Sequence, residues 1–402
     1  MVMPHKGSDM KGFFAQHQEQ FTALRRELHK HPELGFEEFV TAKTVQNTLT
    51  QLDIPFTTGI GHTGIVATIT GKLPDNGRRI GLRADMDALP LQEKSNHQHR
   101  SQIDGCMHAC GHDGHTTILI AVAHYLAQHR DFAGTIYLVF QPAEEGRGGG
   151  DQMVKDGLFT QFPMDEIYGL HNWPYLAAGK IAVLDGPAMA AGDRLSITVK
   201  GKGGHGGATP HLTIDPIRIA AQLITVLHSI VSREIAASEQ AVLSLCAIES
   251  GDLEAFNVIP DTAQINGTVR TFQPEVQDRM EQAIRRVCAG IATTFGAEII
   301  VNYERIIPAT VNDLACAQFA RDTIERVFPQ GTLDRETPAT LGGEDFSFML
   351  NQCPGAYLFL GSARHPNDEP LHSPNFDFND EVIGIGAELL TSIALNAVSQ
   401  TK

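Results

Sequence analysis

The chain has 402 residues, 42% of them hydrophobic and 19% charged, which predicts two domains of ordinary globular composition. A formal net charge of −16 argues against nucleic acid or an anionic membrane as partner. It leaves a small anionic substrate open, because one local arginine outweighs a diffuse surface charge. The N-terminus carries no apolar signal segment, and no apolar run approaches the roughly 20 residues that cross a bilayer, so the expectation is a cytoplasmic protein. Six scattered cysteines, at positions 106, 110, 246, 288, 316 and 353, fit reduced thiols better than a disulfide framework.

Residues 11 to 30 place Phe13, Phe14, Phe21, Leu24 and Leu28 near one face of a predicted helix. The chain breaks at His31-Pro32 and resumes as a helix over Phe39 to Leu52. Ile65 to Thr70 and Arg79 to Ala84 are predicted strands, the second running into Asp85-Met86-Asp87. Two carboxylates just past a strand end suit a site at the carboxyl edge of an α/β sheet. A pair of loop-capping aspartates is the competing explanation.

Residues 107 to 115 read Met-His-Ala-Cys-Gly-His-Asp-Gly-His. They bring together His108, Cys110, His112, Asp113 and His115, and thiolate and neutral imidazole are strong ligands for zinc and other borderline divalent metals. Gly111 and Gly114 allow sharp turns. An apolar helical run from Thr116 to Leu126 follows, so the stretch would end at a helix N-terminus, where anionic ligands are favoured. The plainer alternatives are a histidine-rich surface loop, or a Cys106–Cys110 redox pair at a spacing unusual for one.

Gly134 to Gln141 is a near-continuous apolar strand, as in a sheet covered on both faces, and it leads into Pro-Ala-Glu144-Glu145-Gly. Glu166 to Leu170 is another, ending on His171. Asp87, then Glu144 and Glu145, then His171 are thus all delivered at strand ends, and this repetition favours a metal site.

The pattern changes near Gly186. Arg194 to Lys200 alternates apolar and polar residues, followed by a glycine-rich loop holding His205 and a helix over Asp215 to Val231. Strands at 241–248 and 263–271, a helix at 275–294 and a strand at 297–303 complete a βαβ–βαβ order, which is ferredoxin-like. The expectation is a first domain formed by residues 1–187 and 307–402, with residues 188–306 as an inserted α+β domain. The resumed first domain holds a helix at 312–328, a strand at 356–360, Leu371-His372-Ser373-Pro374 and a C-terminal helix from about Asp380.

At this point the chain resembles the dinuclear metallo-aminoacylases, the hippurate hydrolase, N-acyl-amino-acid amidohydrolase and indole-acetyl-amino-acid hydrolase branch of a metallopeptidase superfamily. The resemblance covers nearly the whole chain. It rests on Arg-Arg-Glu-Leu-His-Lys-His-Pro-Glu-Leu-Gly (25–35), Leu-Arg-Ala-Asp-Met-Asp-Ala-Leu-Pro (82–90), the 107–115 stretch and Gln-Pro-Ala-Glu-Glu-Gly (141–146). Further on it rests on Gly-Leu-His (169–171), Gly-Lys-Gly-Gly-His (201–205), Pro-His-x4-Asp-Pro (210–216), Asn-Val-Ile-Pro (257–260) and Leu-His-Ser-Pro (371–374). It implies a three-layer α/β catalytic domain of the zinc-exopeptidase type, built on a mixed sheet, and an inserted domain that serves as lid and dimer interface. It implies Cys110, His112, Glu145, His171 and His372 as ligands of two divalent ions, with zinc, manganese or nickel all suitable and the Cys110 thiolate shared. Glu144 resembles the general base and Asp87 an aspartate that orients a ligand. Asp85 stands where the wider superfamily has a histidine. His205 is expected to act in the partner's site of a homodimer, assisted by Asn257, while Arg270 resembles an arginine that holds the substrate carboxylate. Cys106, His108 and His115 receive no role.

The chemistry agrees with the residue types. A metal pair polarises an amide carbonyl and lowers the pKa of water, while a carboxylate bound to metal cannot at once be a free base. Two adjacent glutamates allow separate duties. The expected reaction is hydrolysis of an N-acyl amino acid to a carboxylic acid and an amino acid. Metallo-exopeptidase or N-acetyl-diaminopimelate-type deacetylase activity stands as the alternative, with a non-catalytic metal-binding protein behind it.

Overall fold

The computed structural model describes residues 7–400. The chain forms two compact units, one made of Met1–Ala188, Val311–Pro338 and Asp345–Lys402, the other of Met189–Thr310 and Ala339–Glu344. Residues 339–344, which sequence reading leaves with the first domain, join the second unit.

The first unit is built on an eight-stranded mixed sheet. Its order is Phe56–Thr58, Ile65–Thr70, Thr135–Gln141, Arg79–Asp85, Glu166–Ala177, Gly355–Ala363, Ile181–Ala182, Leu333–Asp334. The strands Thr135–Gln141, Arg79–Asp85, Glu166–Ala177 and Gly355–Ala363 run parallel to one another, while Ile65–Thr70 lies antiparallel to Thr135–Gln141. Every residue of Thr135–Gln141 is buried, which explains its unbroken apolar sequence: neither face meets water. The helices His112–Gln128 and Ile383–Val398 pack together in the core and are buried on nearly all sides. The stretch Asp380–Val398 is in fact long and apolar enough to cross a membrane by composition, contrary to the sequence reading. Its place in the core, with 78% of the window buried, accounts for that apolarity.

Other boundaries also move. The N-terminal periodic stretch is two helices, Gly7–Gln16 and Gln18–Lys30, broken at His17, whose Nδ1 bonds back to Phe13 O. The strand from Glu166 continues past His171 to Ala177.

The second unit carries a four-stranded antiparallel sheet. Its order is Ala241–Ser250, Thr262–Thr271, Ala191–Lys200, Glu298–Ile307, which numbered along the chain is 2-3-1-4, the ferredoxin-like arrangement. Leu195, Ile197 and Val199 pack against Ile219, Leu223 and Leu227 of helix Pro216–Glu234 and against Met280 and Ile284 of helix Pro274–Phe295. Asp215 caps the first helix by accepting from Ile217 N at 2.9 Å, with Pro216 at its first position.

Candidate metal centre

The parallel strands deliver their carboxyl ends to one edge of the sheet. Asp85 pairs with Gln141 in register, so the segments after them, 86–87 and 142–145, leave side by side. Helix His112–Gln128 starts at His112, four residues before the apolar run suggests, because Gly111 takes a left-handed conformation (φ 98°) that turns the chain into the helix. A β-carbon on Gly111 would run into the Asn172 amide, so the same glycine lets the helix start close to the strand that carries His171.

Six of the side chains singled out in the sequence converge here. Cys110 Sγ lies 3.4 Å from His171 Nε2 and 3.3 Å from His372 Nε2. His372 Nε2 is 3.3 Å from Glu145 Oε1, and His112 Nε2 is 3.9 Å from the same oxygen. Three overlapping groups, Cys110–His112–His171, Cys110–Glu145–His372 and His112–Glu144–Glu145, each offer three donor atoms within 4.8 Å of one another. His372 reaches the cluster from a left-handed residue (φ 63°) whose N–H donates to Ala109 O at 2.8 Å.

The donor set fits divalent cations, since it mixes one thiol, three imidazoles and carboxylate. Two buried atoms inside the cluster, His112 Nε2 and Glu145 Oε1, have no hydrogen-bond partner among the described residues, an arrangement that proteins avoid unless something else binds there. The imidazole orientations agree. His171 Nδ1–H donates to Asn172 O at 2.7 Å, and His112 Nδ1 meets Asp87 Oδ1 at 3.2 Å, so each ring turns Nε2 inward.

Asp87 does more than orient one histidine. Its Oδ1 also accepts the Glu144 N–H at 3.0 Å and its Oδ2 the Glu145 N–H at 2.9 Å. Behind it lies a buried polar network that sequence reading left unassigned. Asp85 accepts from Arg83 at 2.7 Å and from His115 Nδ1 at 2.6 Å, and His115 Nε2 lies 2.7 Å from Asn172 Oδ1. His115 is therefore a link between the strands of Asp85 and Asn172 and the helix His112–Gln128, not an incidental polar residue at a helix start.

Electrostatics favour added positive charge. Burial, then the charges of Glu145, Glu144 and Asp85, push the Cys110 thiol well above its ordinary range. Burial alone would lower His112, but Asp85, Asp87 and Glu145 raise it to about 10, so a cation at Nε2 would take the place of a proton. Burial and the neighbouring His115 hold His171 well below the usual imidazole value, which leaves it neutral as a ligand must be. Burial alone would raise Asp85; the charges of His112, Arg83 and His115 outweigh it and keep the carboxylate ionised.

Cys106 and His108 differ from these. The Cys106 thiol is buried, 3.5 Å from Pro32 O, and burial raises it to about 11. His108 is buried with neither ring nitrogen hydrogen-bonded among the described residues, and burial lowers it to about 4.

His205, Asn257 and Arg270 belong to the second unit. His205 pairs with Val258 across a short antiparallel bridge, and Gly206 N donates to Asn257 O at 2.8 Å, so residues 52 positions apart are held side by side. His205 is exposed, and its Nδ1 accepts from both Gly207 N and Ala208 N at 3.2 Å. The neutral ring therefore carries its proton on Nε2 and presents a donor. Arg270 Nη1 is held by Thr268 Oγ1 at 2.5 Å and Val269 O at 3.2 Å. Its guanidinium lines a cavity of about 250 Å³ together with Gly192, Thr268 and Ile307.

The segment 25–38 is tied to the elements that carry the centre. Arg25, fully buried, binds Asp113 at 3.0 Å and Asp377 at 2.5 Å, and His29 Nδ1 meets Asp113 at 2.8 Å. These contacts join the helix Gln18–Lys30 to the start of the His112 helix and to the loop after His372. Their partners lie 84 to 352 positions apart, so no local spacing could reveal them.

Residues 81–396 match the profile of Peptidase family M20/M25/M40. The chain is 40% identical over 378 residues to the hippurate hydrolase of Campylobacter jejuni, covering 94% of this chain and 96% of that one. It is 38% identical over 385 residues to the N-acetylcysteine deacetylase of Bacillus subtilis, covering 94% and 97%. Among solved structures, Bacillus subtilis YxeP, described as a dinuclear metal-binding peptidase of the M20 family, superposes with a TM-score of 0.84 at 34% identity, over 96% of this chain and 100% of that one. With the profile spanning most of the chain and these relatives matched along nearly their whole length, the chain belongs to peptidase family M20/M25/M40.

Proposed function

We propose that the protein is a metal-dependent amidohydrolase that cleaves small N-acyl amino acids to a carboxylic acid and an amino acid. The adjacent pair Glu144–Glu145 carries this reading. Glu145 Oε1 sits beside His372 and His112, while the Glu144 carboxylate shares the neighbouring group with His112. A protein that merely bound metal would have no use for the second carboxylate. The names of the relatives, a hippurate hydrolase and an N-acetylcysteine deacetylase, support the substrate class.

In this reading Cys110, His112, Glu145, His171 and His372 hold two divalent ions, and zinc, manganese or nickel suits so mixed a donor set. Bound metal would polarise the scissile carbonyl and acidify the attacking water. Glu144 takes the proton from that water and returns it to the leaving nitrogen. Asp87 fixes His112 and both glutamates through the three bonds described. His205 Nε2–H stabilises the developing oxyanion, with Asn257 beside it. Arg270 pairs with the carboxylate of the amino-acid product end in a bidentate clamp.

Residues 1–187 and 307–402, less the segment 339–344 that joins the second unit, form the catalytic domain in this reading, and residues 188–306 a lid through which two subunits pair. Leu253 and Phe256 are 98% and 92% exposed, and Ile248 and Val258 nearby are also open, an apolar set that a second subunit would cover. A homodimer would let His205 act in its partner's site. Six cysteines without a disulfide fit a cytoplasmic setting.

The test is a hydrolysis screen over acetyl, benzoyl and long-chain acyl amino acids, run on wild type and Glu144→Gln with metal content measured in parallel. Glu144→Gln should keep its metal and a near-normal KM while kcat falls by roughly 10² or more, the usual range for removal of a general base. Unchanged kcat with a raised KM would reduce Glu144 to a binding group. Activity confined to dipeptides would favour an exopeptidase.

A further inference from the structure

Three consecutive N–H groups in the carboxylate turn each end on a buried carboxylate. Glu144 and Glu145 donate to Asp87, as described. Ala143 donates to Glu38 Oε1 at 2.8 Å, and Glu38 Oε2 accepts the Thr63 hydroxyl at 2.5 Å. Glu38 is fully buried, at the start of helix Phe39–Gln51, and has no ion pair among the described residues. A buried carboxylate without a cationic partner is an expensive way to satisfy one amide and one hydroxyl.

The turn needs holding. Ala143 is left-handed (φ 54°), a conformation that a residue with a β-carbon seldom adopts unless its surroundings impose it. Its carbonyl is tied to Gly149 N at 2.9 Å, which fixes one side only. On the other side the chain at Gly35 comes so close that a β-carbon there would stand 2.9 Å from Ala143 Cα. Glu38 and Gly35 thus press the turn from the same segment.

We propose that Glu38 is a positioning residue for the reaction: by receiving the Ala143 N–H it sets the direction in which Glu144 and Glu145 leave the strand. The proposal rests on the reading of Glu144 as base and Glu145 as ligand. Asp87 holds the two glutamates from the metal side, and Glu38 holds the residue before them from the opposite part of the chain. The segment Glu33–Glu38 therefore acts on the chemistry without touching it.

Glu38→Ala, Glu38→Gln and Val45→Ala test this. Val45 is fully buried on the same helix and serves as a control for lost stability. Two quantities are read: kcat and KM on the best substrate from the screen, and amide exchange of the 142–149 peptide by mass spectrometry in metal-free protein. Glu38→Ala should lower kcat by about 10- to 100-fold with little change in KM or bound metal, since small misplacements of a reacting group cost that much. Exchange at Ala143, which loses its acceptor, should accelerate roughly tenfold or more, with a smaller acceleration at Glu144 and Glu145, whose amides keep Asp87 but lose the fixed residue before them. Glu38→Gln should restore both, because its carboxamide oxygen still accepts the Ala143 N–H and the Thr63 hydroxyl can turn to accept from its nitrogen. Val45→Ala should lose stability yet leave both quantities at wild-type values.

Wild-type kcat and exchange in folded Glu38→Ala would overturn the proposal, as would the same losses in Val45→Ala or no recovery in Glu38→Gln. Should Glu38→Ala fail to fold, Thr63→Val loosens one Glu38 oxygen and reads the same quantities: an intermediate change is expected, and none would refute it. If wild type hydrolyses no N-acyl amino acid, the functional reading fails, while the exchange data on metal-free protein still decide whether Glu38 holds the turn.

Discussion

Asp87→Asn is the perturbation that most directly probes the centre, because the aspartate is buried and its bonds are all defined. Oδ1 takes His112 Nδ1 and Glu144 N, and Oδ2 takes Glu145 N. Asparagine keeps one acceptor oxygen. Placed at the Oδ1 position, that oxygen saves two bonds and turns the amide nitrogen, itself a donor, against the Glu145 N–H. The flipped amide sacrifices two bonds instead, so the smaller loss is one charge-assisted hydrogen bond, about 1.5–3 kcal/mol. At about 1.4 kcal/mol per factor of ten this is roughly a 10- to 150-fold effect. The range agrees with the roughly 10- to 100-fold loss of metal affinity or activity usual when a group that orients a ligand is changed. Competition of zinc or manganese between the protein and a chromophoric chelator measures the affinity, and kcat/KM under saturating metal measures the remainder. An affinity and kcat/KM both within about twofold of wild type would show that the carboxylate geometry does not matter, and the reasoning from these three bonds would fail.

Cys110→Ala should lose most of its bound metal and its activity, whereas Cys106→Ala should keep both; elemental analysis of the two proteins separates them, and full metal in the Cys110 variant would remove that residue from the centre. A mixed dimer of Glu144→Ala and His205→Ala subunits, each inactive alone, should regain about one working site if His205 acts in the partner's site; no recovery after verified subunit exchange and metal loading would confine His205 to its own subunit. The Glu93 carboxyl offers a pH prediction. Burial would raise it, but His29, whose Nε2 lies 3.4 Å away, and the bonds from the Ser95 hydroxyl and the Ser101 N–H outweigh that and hold it at about 2. A depressed carboxyl pKa stabilises the fold above the unfolded value, near 4.3, and that contribution is lost as pH falls toward 2. Glu93→Gln should therefore be less stable at pH 7, with a flatter decline between about pH 4.3 and 2, in urea titrations of metal-free protein; an unchanged acid profile would mean that His29, Ser95 and Ser101 together do not hold the Glu93 carboxyl down.

What the sequence revealed and what it concealed divide along physical lines. Longer strands with covered faces are legible, as at Thr135–Gln141, because burial writes itself into consecutive or alternate residues, whereas the buried two-residue strand Ile181–Ala182 is too short to show a pattern. The 2-3-1-4 sheet followed from element order, since two βαβ units with helices on one face leave few other ways to close a core. The helix start at His112 was misjudged because its entry is a left-handed glycine and not a side-chain cap, so no serine, threonine or aspartate marked it. The apolar C-terminal helix shows the converse problem: composition alone cannot tell a core helix from a membrane span, and only its packing decides.

The polar interior was least legible, and for a reason that bears on how the site works. Arg25, His29, Glu38 and His115 each have a buried partner far away in sequence, so their local surroundings look like ordinary charged helix faces or helix starts. Yet these residues connect every element that carries a converging side chain. Arg25 reaches the His112 helix and the loop after His372, Glu38 the turn of Glu144 and Glu145, and His115 the strands of Asp85 and His171. Donors drawn from four separate segments can meet within a few ångströms only if something fixes those segments to one another, and apolar packing alone fixes depth better than direction. Directional bonds from buried carboxylates and guanidinium supply the missing constraint. They also explain why the centre concentrates so much negative charge: Asp87, whose two oxygens hold three donors, cannot be exchanged for a neutral residue of the same reach without losing a bond, and the field such carboxylates leave is one that a pair of divalent cations would relieve.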